Sequence, residues 1–161
     1  MPGFVPTPAI ENPSLKLQVV LRWIDAFVMS RDTTALAECI SEDYKYQMLP
    51  KSLGRPQLDR ESFLVHAEDV IKRVANFEAT VLEVIENADS VILHATSTAI
   101  SIGATNAPFA NEYAFIAHVA AQADGSYKVA SVKEFVDSKV LVDVITRQGR
   151  KAEEHSDSDT A

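Results

Sequence analysis

Apolar positions along the chain first recur at helical spacing and then alternate. Leu17, Val20, Leu21, Ile24, Phe27 and Val28 form one helical stripe, which predicts a first helix over residues 13–30. Asn12 reads as its N-cap and Pro13 as its first turn. Asp32 or Thr33 caps a short second helix carrying Leu36 and Ile40, and residues 44–49 read as a short strand stopped by Pro50. Residues 51–58, with Gly54 and Pro56, read as a loop. Asp59 caps a third helix whose apolar face is Phe63, Ala67, Val70, Ile71 and Val74, with His66 on that face. From there the period falls to two. Residues 77–86, 90–101, 110–122 and 126–137 read as strands, with Asn87-Ala88-Asp89 and Asp124-Gly125 as hairpin turns and a longer loop over 102–109. Residues 140–145 fit a last short helix. The order predicts an α+β fold, its helices packed on one face of a curved antiparallel sheet that encloses an apolar pocket.

Composition narrows the class. The chain has 161 residues, 47% of them hydrophobic, which suits one globular domain. We expect an extended, proline-rich arm over 1–12, a domain over 13–146 and a disordered polar tail over 147–161. The net charge of −8 and a lone basic cluster at Arg147, Arg150 and Lys151 argue against nucleic acid and against anionic membrane as partners. No apolar run approaches the roughly 18 residues of a membrane span. The N-terminus lacks the basic region of a signal peptide, and Cys39 is the only cysteine, so a cytoplasmic location is expected. Cys39 itself reads as a small buried apolar residue. No metal-ligand spacing, phosphate loop or nucleophile elbow occurs, so neither metal nor cofactor is expected.

Turn positions set approximate strand registers. The Asp124-Gly125 turn places Tyr113 opposite Val136, Phe115 opposite Glu134 and Glu112 opposite Asp137. Centring the 102–109 loop places Thr98 near Tyr113, Thr96 near Phe115 and His94 near Ala117. One face then gathers Phe77, Ala79, Val81, His94, Thr96, Thr98, Tyr113, Phe115, Val132, Glu134 and Val136. An apolar surface with a few polar groups is the usual lining of a small-molecule site. The other face carries Ala95, Ala99, Ala114, Ile116 and Phe135 and is expected to meet a second copy in a homodimer. Glu134 is the sharpest candidate, because a carboxyl desolvated among valines and Phe115 gains a raised pKa useful for acid–base work. The competing position is the sheet rim, paired with a lysine. His94 could shuttle a proton, Asp137 could be a second acid, and Tyr113 could donate to an oxyanion. Trp23, Tyr46, His66, Thr96, Thr98 and Phe115 are candidate substrate contacts, each also explicable as core or structural donor.

The opener LKLQVVLRWIDAFVMSRDTTALAECISEDYKYQ and the closing hairpin NEYAFIAHVAAQADGSYKVASVKEFVDS resemble the SnoaL-like branch of the nuclear transport factor two-like superfamily, the cystatin-like cone fold. The segment LPKSLGRP, residues 49–56, is similar to uncharacterised fungal members. The resemblance covers about residues 14–145. It implies a conical pocket, a dimer, and functions ranging from polyketide cyclases, ketosteroid isomerases and dehydratases to non-catalytic binding modules. It also implies a site role for Asp137, placed like the terminal-strand aspartate of the cyclases. The Asp-Arg-Asp set of limonene epoxide hydrolase-like members has no counterpart, since no arginine lies between Arg73 and Arg147. The expected function is cofactor-independent cyclisation, isomerisation or dehydration of a polyketide- or terpenoid-like small molecule. The alternative is a non-catalytic ligand-binding or dimerising module.

Overall fold

The computed structural model describes residues 10–103 and 106–158, without the side chains of residues 151–158. The expected arm over 1–12 therefore lies largely outside the described residues. Helix α1 (Leu15–Ile24) runs into a π-helical turn (Asp25–Met29), followed by α2 (Thr33–Cys39) and α3 (Arg60–Arg73). The α1 cap is Ser14, whose Oγ accepts from Leu17 N at 3.0 Å. Asn12 is left outside with a left-handed φ of 52°. Asp32 and Asp59 cap α2 and α3 as expected, accepting from Ala35 N and Ser62 N. The π turn inserts an extra residue, seen in the Ser30 N to Asp25 O bond of 2.8 Å, and Phe27 and Val28 still face inward.

Six strands follow or interleave: β1 (Ile40–Leu49), β2 (Leu58–Asp59), β3 (Val74–Glu86), β4 (Ser90–Ser101), β5 (Pro108–Ala121) and β6 (Tyr127–Val136). They form one sheet in the order β2-β1-β6-β5-β4-β3. The sheet is mixed rather than wholly antiparallel, because β1 lies parallel to β6. Alternation of apolar residues gives a strand's faces but not its direction, and β1 reaches β6 from the helical half of the chain. Register shifts in β1, β3 and β6 mark bulges, which bend strands and help to curve the sheet around the helices.

The concave side holds the core. Trp23, Phe27, Tyr44 and Phe63 pack ring on ring, with Trp23 and Phe63 stacked at 5.8 Å. Cys39 is buried there, its thiol donating to Ala35 O and Leu36 O.

The chain beyond β6 departs from the expected tail. One helix, α4, spans Ser138–Ser158. The segment is polar, but it is rich in Lys, Arg, Glu and Gln, which propagate a helix well once a turn has formed. Asp137 starts that turn, accepting from the backbone N–H of Lys139 and Val140. No helix among the described residues is long and apolar enough to cross a membrane.

Candidate functional site

Between the helices and the concave face lies a cavity of about 590 Å³. Three sources of side chains build it. From α1 and the π turn come Trp23, Ile24, Phe27 and Val28. From α3 comes the stripe Ser62, Val65, His66, Asp69, Val70 and Arg73, whose spacing of three and four puts all six on one helix face. The sheet contributes Tyr46, Met48, Ala95, Asn111, Tyr113, Phe115, Glu134 and Val136, and α4 closes one side with Leu141, Val144, Ile145 and Gln148. Gln148 Nε2 donates to Ser101 Oγ, tying α4 to the end of β4.

Glu134 stands on β6 between Phe115 of β5 and Met48 of β1, and only 7% of it is exposed. Its Oε2 accepts from the Tyr46 hydroxyl. Burial pushes its pKa up to about 7, against a smaller downward pull from the Tyr46 hydrogen bond. The carboxyl is thus divided between its two protonation states near neutrality. Tyr46 is held well above the ordinary phenol range by burial and by the negative charge of Glu134, so it remains a donor. Its ring packs on Phe63 at 4.8 Å and lies 5.7 Å from His66. Tyr113 stacks on Phe115 at 5.4 Å and shares a hydrogen bond of 3.0 Å with Ser97 Oγ. Burial raises its pKa too, which keeps the phenol protonated. The Nε2 atom of His66 is buried and has no hydrogen-bond partner among the described residues. Desolvation, then the nearby Arg55, lower the His66 pKa and favour the neutral imidazole.

The structure therefore brings together Glu134, Tyr46, Tyr113, Phe115, Trp23 and His66. Trp23 is a wall that also donates from Nε1 to Tyr44 Oη at 3.1 Å. Three candidates fall elsewhere. His94 points to the outer face and pairs with Glu112 at 2.6 Å, and Thr98 is exposed opposite Ala110. The cause is a register offset: Ala95, not Thr98, lies opposite Tyr113, and an odd slip exchanges the two faces of a strand. Leu93, Ala95, Ser97 and Ala99 consequently face inward. Thr96 still borders the cavity, although it pairs with Glu112. Asp137 is exposed, and its carboxylate is spent on the first turn of α4.

Several lining residues are not evident from the strand and helix patterns as first drawn. Asn111 is two residues from Tyr113 on the same face, which strand parity alone could have shown. Its Oδ1 accepts from Glu112 N and Asp137 N, which leaves its amino group for the cavity. Asp69 and Arg73 follow from His66 at helical spacing, whereas Arg55 arrives from a loop whose path the sequence does not fix.

An α+β cone with helices over a curved sheet and a single buried carboxyl in an apolar cavity defines a small-molecule pocket of the SnoaL-like kind. The family model for the SnoaL-like domain matches residues 20–131, and the chain belongs to that family. Solved structures agree in fold. The BvnE pinacolase from Penicillium brevicompactum is 20% identical, over 86% of this chain and 99% of its own, with a TM-score of 0.67. PrhC from Penicillium brasilianum is 18% identical over 86% and 93%, with a TM-score of 0.71. AusH from Aspergillus nidulans is 22% identical over 77% and 84%, with a TM-score of 0.64. No curated protein matches.

Proposed function

We propose that this protein performs cofactor-independent acid–base chemistry, an isomerisation, cyclisation or dehydration, on a polyketide- or terpenoid-like molecule held in the cavity. The observation that carries the reading is the Glu134 carboxyl, buried on an apolar wall, hydrogen-bonded by Tyr46 and poised near neutral pH. Glu134 takes a proton from the substrate, or returns one, at its carboxyl oxygens. Tyr46 fixes the orientation of that carboxyl and stabilises its charged form. Tyr113 supplies a protonated phenol to a developing oxyanion, and the apolar walls exclude water. An enzyme named as a pinacolase, BvnE, is among the proteins of similar fold, which supports an enzyme over a carrier.

The test is solvent deuterium exchange into 2-tetralone, an enolisable apolar ketone, followed by NMR. The wild type should accelerate exchange, and Glu134→Gln should lower the rate by roughly two to four powers of ten while still binding the ketone. Exchange no faster with the wild type than in buffer would favour a ligand carrier. Pairing of two copies through the outer face is a second element of the reading, supported by the exposed Phe135 on that face. The face differs from the expected one, since Ala95 and Ala99 turn inward and His94 and Thr98 take the outer positions.

A further inference from the structure

The mouth of the cavity has a chemistry that Glu134 does not use. Arg55 and Arg73 both line it and both are exposed. Neither guanidinium enters a salt bridge among the described residues. Asp69 is the one acid on the same rim, so the two arginines leave it with a net positive charge in a chain whose total is −8. Between rim and interior stands His66, whose buried Nε2 lacks a partner among the described residues. Arg55, His66 and Arg73 all line the same cavity.

We propose that the molecule taken up is an amphipathic carboxylate, its apolar body against Trp23, Phe27 and Phe115 and its carboxylate at the rim between Arg55 and Arg73. This deepens the acid–base reading by naming a substrate class for the same cavity. Guanidinium groups match a carboxylate with paired, charge-assisted hydrogen bonds.

The test compares 4-(1-pyrenyl)butyrate with 4-(1-pyrenyl)butanol, which share an apolar body and differ in the anionic end, by fluorescence titration at pH 7.5. The carboxylate should bind about ten-fold tighter or more, the worth of one or two charge-assisted hydrogen bonds. The double variant Arg55→Gln/Arg73→Gln should erase that preference and leave the alcohol's affinity unchanged. Asp69→Asn should strengthen binding of the carboxylate alone, a gain that a folding defect cannot imitate. A wild type that binds the alcohol as tightly, a preference that survives in the double variant, or failure of both probes to bind would overturn the proposal. The acid–base reading is judged separately, by deuterium exchange into 2-tetralone, which carries no carboxylate.

Discussion

Replacing Glu134 by Gln should stabilise the protein above neutral pH and do little at pH 5. In the unfolded chain the carboxyl titrates near its ordinary 4.5, and in the fold near 7. Below the lower value both states hold the proton, and burial carries no ionic penalty. Between the two values the unfolded chain has released its proton while the folded one keeps it, so stability falls as pH rises. Above about 7 both are ionised and the penalty is complete. The difference between the two values corresponds to about 3 kcal/mol, most of it developing between pH 5 and 8. Gln has nearly the same shape, can accept from Tyr46 and has no charge to bury. Subtracting its stability from that of the wild type cancels every other titrating group. At 161 residues, the expected gain at pH 8 is roughly 10 °C in Tm relative to the wild type, and much less at pH 5. Trp23 is the only tryptophan and lies in the core, so its fluorescence during urea unfolding at several pH values reports the transition. A stability difference that does not vary with pH would refute the buried, half-ionised carboxyl.

Tyr46→Phe removes the hydrogen bond that favours the charged carboxyl, so the Glu134 titration should move further up, as read from the carboxyl carbon by NMR; a downward move would contradict the assignment. His94→Ala should leave exchange activity and ligand binding within about two-fold, as expected for an exposed pair outside the cavity, worth at most about 1 kcal/mol. Truncation after Asp137 strips Leu141, Val144 and Ile145 from the cavity wall and should weaken pyrenylbutanol binding and lower Tm; an unchanged affinity would show that α4 does not close the site. Light scattering should give twice the chain mass, and Phe135→Asp should halve it if the outer face joins two copies.

What the sequence discloses depends on how tightly each turn constrains the chain beside it. Asp124-Gly125 is a tight turn, with Gly125 at φ 82° and Gln122 N bonded to Ser126 O. It fixes the pairing beside it, Ala121 with Tyr127, but that register carried on unbroken would set Phe115 opposite Lys133; a bulge at Ala130 of β6 restores Phe115 opposite Glu134. The loop after β4 imposes no such limit. Ser101 N bonds Ala107 O, β5 starts at Pro108, and the pairing lies three residues from the centred alignment. That offset is enough to send His94 and Thr98 to the outer face. Tyr46 shows a different limit: its partner Glu134 is 88 residues away. The contact exists because β1 joins β6 in parallel through a long crossover, and no local pattern encodes that choice. The α4 segment fails for a third reason. Low hydrophobicity argues against a core position, not against a helix, once Asp137 has capped its start. The face of the acid is therefore legible because Val132, Glu134 and Val136 alternate on one strand, while the phenol that holds it emerges only as a candidate contact because it depends on the whole topology.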